Sequence, residues 1–360
     1  MKRAVLCVPD PHNYIKQLDN YSIMVVNPDS APTRLQYLLA NSDWSLLITP
    51  EGEKYREGNN YPDERVLWYT SGTTGDSKFY SFSQSQLDDL IHSIIQSYHL
   101  TNNDRYTSVM SLWHGHGQAM FWVAEYLDIE RNFLTLKEIR NLPKYNPTFI
   151  SAIPDILKVV GELEITSLRF IRSASSSLPN NLYTALKDKF KVPVIESFGM
   201  TEAMSHVFTN PLDNQRIGTV GLPTHGIEAM VDNKQLYIRG HRIHKDGWID
   251  TGDLAEQDDA GYYRILGRSR DQINVKGYKL NPISIERQLL ETVEGLTSCV
   301  IFGTDTVKCL YIGSCSDLDI RNALMSMGPA CKPTLLKSVT ELPTNTAGKV
   351  SRADLNQSIS

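Results

Sequence analysis

Along the chain, short apolar runs alternate with longer segments whose apolar positions recur every three or four residues. Short apolar runs bounded by polar residues are typical of strands. The runs that predict strands are 45–49, 65–69, 168–172 and 192–196. After the second run, apolar residues from Leu87 to Tyr98 fall on one helical face, and Ser83 is placed to cap that helix. Another helix is predicted at 181–190, and the alternation favours an α/β fold, whose ligands bind where parallel strands end.

Beyond Gly226 the pattern changes to short strands separated by turns. The predicted strands of this stretch are 235–239, 261–266 and 273–275. A smaller unit follows, with predicted helices and strands at 283–292, 298–302, 307–311, 317–327 and 335–339. We therefore predict two domains. The first, 1–268, is a large α/β domain with layered sheets and a small β-rich subdomain; the second, 269–360, is a small, mobile α+β domain.

The composition is that of an ordinary globular chain of 360 residues, with 41% hydrophobic and 21% charged residues. The formal net charge of −5 and the lack of a Lys/Arg run disfavour binding to nucleic acid or to an anionic membrane. Apolar stretches are too short for a membrane span, and the five cysteines form no C-x-x-C pair. These features predict a cytoplasmic chain with reduced thiols, and they argue against a disulfide scaffold and a structural zinc site.

The strongest chemical signal is a stretch rich in hydroxyls and glycine at 69–78, directly after a predicted strand. Its candidate ligand-binding residues are Thr70, Ser71, Gly72, Thr73, Thr74, Gly75 and Lys78. Glycines permit tight curvature and close approach, hydroxyls donate hydrogen bonds, and the lysine supplies positive charge, a set suited to polyphosphate. The Walker A spacing does not fit, and a flexible surface loop is the alternative interpretation.

A second cluster, at 196–202, follows another predicted strand. Phe198 has a ring able to pack on a purine, and Gly199 lets the backbone come close to a ligand. Thr201 can donate to a phosphate, and Glu202 can hold a Mg²⁺ ion that bridges phosphates. By itself, however, this cluster is better explained as a strand followed by a turn.

Three later segments add weaker signals. At 247–254, Asp253 behind a glycine turn is suited to accept both hydroxyls of a ribose, or it is simply the residue of an Asx turn. The charged stretch 261–278, with its glycines, is typical of a bendable connector. Lys349 lies in a late loop at 342–352, where a lysine is usually a solvated charge.

Taken together and in this order, the five segments resemble the acyl-adenylate-forming superfamily of acyl-CoA synthetases, luciferases and peptide-synthetase adenylation domains. The stretches 111–117 and 218–223 resemble further segments of that family, and the resemblance extends from about residue 34 to residue 352. The chain has fewer residues before its phosphate loop than the family usually has. The N-terminal subdomain is therefore expected to be partly absent or compressed. Whether its first sheet forms is a question that the sequence does not answer. A partner or a homo-oligomer is expected to cover apolar faces exposed in this way.

The resemblance implies a reaction in which a carboxylate attacks the α-phosphate of Mg-ATP, pyrophosphate leaves, and a thiol captures the acyl-adenylate. It implies that residues 70–78 hold the β- and γ-phosphates, that Thr201 contacts the α-phosphate, and that Glu202 binds Mg²⁺. The favoured thiol is that of CoA. The phosphopantetheine arm of an acyl carrier protein is the alternative, and a catalytically silent nucleotide-binding homologue is a second one.

The rest of the ATP site is implied in the same way. Asp253 and Arg268 are expected to bind the ribose, and Phe198 is expected to stack on adenine. Lys349, in the small domain, is expected to reach the carboxylate and the α-phosphate. That reach requires a rigid-body rotation of the small domain, with Arg270 at the family's hinge position.

The acid is identified less sharply. Amino-acid-activating members have an aspartate soon after the aromatic residue that corresponds to Trp113; here His114 follows, which disfavours amino acids. The stretches 170–173 and 201–206 look like the branch that makes oxalyl-CoA, which predicts a compact carboxylic acid. The candidate acid-binding residues are His114, Ser173, Ala174 and His206, and His114 also stands with Lys349, Glu202 and Thr201 as a catalytic candidate. Alternatively, His206 lies one turn from Glu202, on a helix surface or in the core.

Overall fold

The computed structural model describes residues 1–70, 77–343 and 350–359. Six strands form its first sheet: Lys2–Leu6 (β1), Tyr21–Val25 (β2), Leu46–Thr49 (β3), Gly52–Tyr55 (β4), Glu64–Tyr69 (β5) and Phe79–Ser83 (β6). Their order is β4-β3-β1-β2-β5-β6, with parallel pairing inside and antiparallel strands at both edges. Apolar side chains pack on both faces of the inner strands, which is typical of parallel strands. A six-stranded first sheet therefore forms from the short N-terminal stretch, which answers the question that the sequence left open.

The second sheet lies next along the chain and has seven strands. They are Arg105–Ser108 (β7), Glu130–Phe133 (β8), Phe149–Ala152 (β9), Phe170–Ser173 (β10), Val194–Phe198 (β11), Phe208–Thr209 (β12) and Leu222–Pro223 (β13). The order is β13-β12-β11-β10-β9-β7-β8, and β7 to β11 pair in parallel. The rings of Tyr106, Phe149 and Phe170 stack from strand to strand with 5.2 Å between neighbouring centroids. The parallel pairing places the carboxyl ends of β10 and β11, which carry candidate site residues, at the same edge.

The structure describes nine α-helices. They are His12–Ile15 (α1), Pro32–Asn41 (α2), Gln84–Tyr98 (α3), Gly115–Tyr126 (α4), Pro154–Val160 (α5), Asn180–Phe190 (α6), Pro282–Thr292 (α7), Asp317–Ser326 (α8) and Arg352–Ser358 (α9). The four that the sequence predicted, α3, α6, α7 and α8, lie close to their predicted positions. The predicted cap of α3 is present: the Gln86 amide donates to Ser83 Oγ at 3.2 Å, and the Ser83 amide donates to Gln86 Oε1 at 2.9 Å. This reciprocal pair satisfies amide groups that the start of a helix leaves open.

A third sheet forms the predicted small β-rich part. Its strands are Ile227–Asp232 (β14), Gln235–Gly240 (β15), Ile249–Gln257 (β16) and Tyr263–Arg268 (β17). They pair antiparallel in chain order, so β16 and β17 are neighbours along their length. The register of this last pair positions two of the candidate nucleotide ligands.

Beyond Arg268 the chain forms a hairpin and a three-stranded sheet. Their strands are Ile273–Val275 (β18), Tyr278–Leu280 (β19), Leu296–Phe302 (β20), Val307–Gly313 (β21) and Pro333–Ser338 (β22). The predicted hairpin across 303–306 is the antiparallel pair of β20 and β21. Among the described residues, the apolar clusters formed from Ile273 onward share no member with those formed earlier in the chain. The domain boundary between residues 268 and 269 itself stays a prediction.

The architecture as a whole is a mixed α/β fold with several sheets, as the pattern predicted. No helix in the described part of the chain is long and apolar enough to cross a membrane. All five cysteines are free thiols, and Cys315 is the one that is partly exposed.

Contacts between α7 and the earlier part of the chain are polar and exposed. The Asn180 side-chain amide donates to Glu291 Oε1 at 2.5 Å, and Arg287 Nη2 donates to Ser177 Oγ at 3.1 Å. Exposed polar contacts of this kind contribute little free energy, because each group exchanges a hydrogen bond with water for one within the protein.

A buried ion pair holds the start of α9 against α7. Arg352 Nη2 donates to both carboxylate oxygens of Glu286, at 2.6 and 2.7 Å, and its Nε donates to the Ile301 carbonyl at 2.9 Å. The Ile301 amide in turn donates to Glu286 Oε1 at 2.7 Å. Burial raises the pKa of Glu286, and the Arg352 guanidinium opposes that change. The segment that follows Lys349 is therefore fixed to the small three-stranded sheet.

We expect Arg352→Met to lower the free energy of unfolding by about 3–5 kcal/mol, because it leaves the Glu286 carboxylate buried without its counter-charge. Combining it with Glu286→Gln removes that charge and keeps an acceptor for the Ile301 amide, so the double variant should recover most of the loss. Urea unfolding followed by fluorescence measures both. A double variant no more stable than Arg352→Met would contradict this interpretation.

Candidate active site

The predicted phosphate loop connects β5 to β6, and its base is fixed by hydrogen bonds. The Thr70 amide donates to the Lys78 carbonyl at 3.0 Å, and the Lys78 amide donates to Thr70 Oγ1 at 3.2 Å. The antiparallel pairing of the two strands thus closes the loop at the residues that the sequence singled out. The candidates between them, Ser71, Gly72, Thr73, Thr74 and Gly75, lie outside the described residues.

An arginine from α2 adds positive charge at the base of this loop. Arg34 Nη2 donates to the Thr70 carbonyl at 3.5 Å and to Ser77 Oγ at 3.4 Å. Lys78 is exposed at the same place, so two cations flank the loop. This arrangement suits a polyphosphate, whose negative charge needs both cations and hydrogen-bond donors.

The predicted magnesium ligand is joined to the strand that leaves the phosphate loop. Glu202 lies in a 3₁₀ turn, Thr201–Ala203, directly after β11. The Tyr80 hydroxyl donates to Glu202 Oε1 at 3.0 Å, and the His244 amide donates to the Glu202 carbonyl at 3.0 Å. Burial and the adjacent carboxylate raise the pKa of Tyr80, so its hydroxyl keeps its proton and remains a donor. Since Tyr80 is two residues beyond Lys78, this bond brings the first two motifs together.

The backbone turns sharply between Gly199 and His206. A Cβ on Gly199 would lie 2.1 Å from the carbonyl oxygen of Ser205, so only glycine fits there. Met204 and Ser205 have φ values of 53° and 61°, in the left-handed region. The helix in the alternative interpretation of His206 is therefore wrong, because the chain leaves the 3₁₀ turn without forming one. The core position in that interpretation is correct, since His206 is fully buried.

Phe198 and Thr201 stand on either side of this glycine turn. Phe198 ends β11, is half-buried, and packs against Phe208 with ring centroids 5.9 Å apart. Thr201 is also half-buried and begins the turn that carries Glu202. The stacking of Phe198 on adenine and the contact of Thr201 with the α-phosphate stay predictions.

The predicted ribose ligands face each other across β16 and β17. Asp253 and Arg268 are paired in register, and Arg268 Nε lies 3.0 Å from Asp253 Oδ1. The Asx turn at this bend is made by Asp250, whose Oδ1 accepts a hydrogen bond from the Gly252 amide at 2.7 Å. The turn therefore does not use the Asp253 carboxylate, which argues against the simpler interpretation of that residue.

The Asp253 carboxylate is buried and incompletely satisfied. Its Oδ2 accepts no hydrogen bond from any residue that the structure describes. Burial raises the pKa of Asp253 to about 6; Arg268 opposes the change, while the charges of Asp271 and Glu202 add to it. A buried oxygen without a donor costs free energy, and a pair of sugar hydroxyls would supply the missing hydrogen bonds. The residues present therefore fit the ribose of a nucleotide.

Two of the candidate acid-binding residues are histidines on neighbouring segments. His114 is half-buried directly before α4, and a Cβ on the next residue, Gly115, would lie 2.3 Å from Ser205 Oγ. His206, beside Ser205, is fully buried, with Nε2 3.3 Å from Ser97 Oγ and Nδ1 unpartnered among the described residues. Burial, together with the charges of two nearby arginines, lowers the pKa of His206 well below its usual value. His206 is thus a neutral core residue that adjoins the His114 segment.

The other two acid-binding candidates end β10. Ser173 is fully buried, and its hydroxyl has no hydrogen-bond partner among the described residues. Ala174 follows it, and the Ala174 amide donates to the Ala152 carbonyl at 3.1 Å. Their place at the carboxyl end of a parallel strand is where such sheets bind ligands. Contact of His114, Ser173, Ala174 or His206 with an acid stays a prediction.

Sequence reasoning missed Tyr80, His244 and Arg34. Alternation along β6 places Lys78 and Tyr80 on the same face of the strand, and that spacing is a signal that the sequence offers for Tyr80. His244 packs its ring edge-on against Tyr80, with centroids 4.8 Å apart. It comes from the loop between β15 and β16, which no sequence motif links to the phosphate loop.

Arg270, the hinge candidate, lies among the described residues. Lys349 lies outside the described residues, and its role stays a prediction. Arg270 is exposed in the 3₁₀ turn Ser269–Asp271, and its Nε lies 3.7 Å from Asp271 Oδ1. A cavity of about 260 Å³ separates this turn from the C-terminal segment, and Arg352 also lines it. The hinge function of Arg270 stays a prediction.

The described residues contain no group of three or more His, Cys, Asp or Glu side chains arranged to hold a metal ion. Magnesium in nucleotide sites commonly uses one or two carboxylates, with phosphates and water as its remaining ligands. A single partly exposed carboxylate beside a phosphate loop, such as Glu202, fits that requirement.

The comparison with known proteins agrees with this geometry. A family model for AMP-binding enzymes matches residues 55–242, more than half of the chain. The chain belongs to the AMP-binding enzyme family. It is 28% identical over 346 residues to an oxalate–CoA ligase of Arabidopsis thaliana, which covers 81% of this chain and 67% of that protein. It is 27% identical over 420 residues to a sulfoacetate–CoA ligase of Cupriavidus necator, with 92% and 82% covered.

Solved structures show the same fold. The ATP-bound MatB of Rhodopseudomonas palustris has a TM-score of 0.87 and 19% identity, and the match covers 99% of this chain and 88% of that one. The o-succinylbenzoate–CoA synthetase MenE of Bacillus subtilis, in complex with ATP and magnesium, has a TM-score of 0.84 and 18% identity, with 98% and 89% covered.

Family membership confirms the activity class that the motifs predicted. This AMP-binding enzyme is an AMP-forming acid–thiol ligase, which activates a carboxylic acid to an acyl-adenylate and transfers the acyl group to CoA. ATP, Mg²⁺ and CoA are the cofactors of that class.

We expect Asp253→Asn to stabilise the enzyme at pH 7.5 while weakening ATP binding. The folded-state pKa of about 6 lies above the ordinary value near 3.9, so burying the charged carboxylate costs roughly 2–3 kcal/mol at neutral pH. This cost appears as the pH rises from about 4 through about 6, so wild-type stability should fall over that range relative to the variant. ATP affinity should drop on the order of 10–100-fold, because hydrogen bonds to a charged acceptor are lost.

Thermal unfolding between pH 4 and pH 7.5 and calorimetric ATP titration measure the two effects. The wild-type affinity for ATP should itself fall below pH 6, where Asp253 takes up a proton and no longer accepts two hydrogen bonds. A variant that binds ATP normally and unfolds more readily at pH 7.5 would show that Asp253 supports the fold instead.

Proposed function

We propose that this enzyme joins a compact carboxylic acid to CoA, with the nucleotide held by the residues that the motifs indicate. The Tyr80–Glu202 hydrogen bond carries the proposal, because it joins the strand leaving the phosphate loop to the predicted magnesium ligand. The charge of Glu202 acts on the pKa of Asp253, so the predicted ribose ligand lies near as well. Three motifs that are far apart in the sequence thus meet at one site.

The first step brings two anions together, and the residues present are suited to offset their repulsion. Arg34 and Lys78 place positive charge at the base of the phosphate loop. Glu202 would hold a Mg²⁺ ion, which would neutralise part of the charge of the phosphates. Thr201 donates its hydroxyl to the α-phosphate, and Lys349 brings an ammonium group to the attacking carboxylate.

The relatives favour a compact acid. They include ligases named for oxalate, sulfoacetate and malonate, all small acids that carry a second anionic group. In this chain the acid would lie at the carboxyl end of β10, near Ser173 and Ala174, with the His114 segment opposite. The buried Ser173 hydroxyl, unpartnered among the described residues, is a polar group that a small acid would satisfy.

CoA is the acceptor of this class of ligase, and the phosphopantetheine arm of a carrier protein is an alternative acceptor that the experiment below tests. The same thiol ends both molecules, so the adenylation site does not distinguish them. A catalytically silent homologue is disfavoured, because Glu202, Asp253 and Lys349 are all retained.

Lys349 must reach the nucleotide from the small domain at 269–360. We propose that this domain rotates about Arg270 between adenylation and thioester formation. The contacts of α7 with Ser177 and Asn180 are exposed and polar, so they can separate at little cost.

The free cysteines bear on the compartment in which the enzyme works. Free cysteines are typical of a reducing compartment, so we infer a cytoplasmic enzyme. Self-association stays a prediction, and light scattering of the purified chain tests it directly.

The decisive test is acid-dependent pyrophosphate exchange and AMP release, with a panel of carboxylic acids and with CoA or a holo carrier protein as acceptor. We expect exchange with small acids and thioester formation with CoA alone. Thioester formation only with the carrier protein would favour the alternative acceptor. ATP binding without turnover of any acid would overturn the enzymatic proposal.

Lys349→Ala should lower acyl-adenylate formation on the order of 10²–10³-fold, the effect of losing one preorganised charge donor. Conversion of preformed acyl-adenylate to the thioester should be largely retained. Lys337→Ala is the matched control, since Lys337 is an exposed lysine in β22 of the same small domain. Equal loss of both half-reactions in Lys349→Ala would mean that its role is assigned wrongly.

A further inference from the structure

A buried arginine beside the proposed acid site has no anionic partner in the described part of the chain. Arg172 lies in β10, directly before Ser173, and its side chain is 2% exposed. Its Nε donates to the Tyr98 hydroxyl and its Nη1 donates to Ser151 Oγ, both at 2.9 Å. Both partners are neutral, and no Asp or Glu among the described residues forms an ion pair with it.

The other buried arginines of the described chain differ in this respect. Arg242, which is fully buried, pairs with Asp89 at 3.2 Å, and the mostly buried Arg352 is held by Glu286. Arg65 lies 3.6 Å from Asp19. Burying a guanidinium without an anion costs free energy. None of the described residues neutralises the positive charge of Arg172.

The surroundings of Arg172 do not offset this charge. His206 is buried nearby and is held neutral, because burial and the charges of Arg172 and Arg242 lower its pKa. The neighbouring carboxylate of Glu196, on β11, instead accepts a hydrogen bond from the Leu178 amide at 3.0 Å. The positive charge is therefore available to an anion from outside the chain.

A chain of hydrogen bonds connects the Arg172 guanidinium to Ser175, just beyond the end of β10, and the positive charge polarises the groups along it. The guanidinium can only donate, so Ser151 Oγ accepts from it and directs its own hydrogen to His116 Nε2, 2.7 Å away. The opposite nitrogen, His116 Nδ1, then donates to Ser175 Oγ at 3.2 Å. Ser175 is partly exposed just beyond Ala174, and its own hydrogen is left to point onward. Each link strengthens the next, because aligned hydrogen bonds polarise one another.

We propose that Arg172 is the counter-charge for an acid substrate that carries a second anionic group, and that Ser175 presents this charge to the substrate. The inference rests on the proposed function and names a specificity-determining residue for it. A dianionic acid gains from the buried charge, whereas a monoanionic acid of the same size leaves that charge uncompensated. Specificity then comes from the penalty on the wrong substrate as much as from attraction of the right one.

Arg172→Met tests the proposal, with AMP release measured for malonate and for butyrate, a monoanion of similar size. We expect wild type to prefer malonate, and the variant to lose on the order of 10²–10³-fold in kcat/KM for malonate. Activity with butyrate should rise, because the uncompensated charge that penalises a monoanion is gone, while the KM for ATP stays unchanged. Arg172→Lys keeps the charge and should retain part of the preference. Arg169→Met is the matched control, since Arg169 is a nearby arginine that is paired with Asp104.

Thermal unfolding separates this role from a structural one. Because Arg172 has no anionic partner among the described residues, Arg172→Met should unfold at the same temperature as wild type or higher. A large loss of stability, or equal loss of activity with both acids, would overturn the proposal. Wild type that uses butyrate as well as malonate would overturn it and leave the proposed function standing. Wild type inactive with every acid would overturn both.

Discussion

The hydrogen bond between the Tyr80 hydroxyl and the Glu202 carboxylate is the contact on which the site depends. It joins a strand of the first sheet to the turn that ends a strand of the second, across a separation of 122 residues. Without it, the phosphate loop and the magnesium ligand would belong to separate parts of the molecule. Burial and the adjacent carboxylate keep the phenol protonated, so Tyr80 remains a donor to the Glu202 carboxylate. The His244 amide, in the loop between β15 and β16 of the third sheet, donates to the backbone carbonyl of the same residue, so segments from three sheets meet at Glu202.

Much of the fold was predictable because periodicity is a local property. The β20–β21 hairpin and the Ser83 cap follow from spacing and residue type within a few positions of each other. The order of the motifs was enough to identify the family, and the pairing of Asp253 with Arg268 fits the shared role predicted for them. Contacts between distant segments were beyond reach. The helix expected near His206 fails because Gly199 packs against the backbone six residues later, and no local pattern shows that contact.

Two arginines illustrate how the same residue serves stability and recognition differently. Glu286 neutralises the charge of Arg352, and this ion pair holds the start of α9 in place. Arg172 donates hydrogen bonds to two hydroxyl groups, which are neutral, so no described residue neutralises its charge. Sequence alone cannot separate the two, since both arginines stand beside a serine and neither has an Asp or Glu next to it. The difference is visible only once the partners that the fold brings to each guanidinium are known. It is an example of the general trade-off in which groups suited to binding a ligand make the protein less stable.

The exposed contacts of α7 with Ser177 and Asn180 have a consequence for how the reaction cycle is timed. In the domain rotation proposed above, water would replace these hydrogen bonds almost evenly, so the docked and undocked arrangements would differ little in free energy. The balance between them can then be tipped by modest differences in how each bound nucleotide or acyl intermediate interacts with the C-terminal segment. In such an enzyme the start of the thioester-forming half-reaction would be set by which ligand is bound, ATP or acyl-adenylate, and not by the strength of the contacts between the two domains.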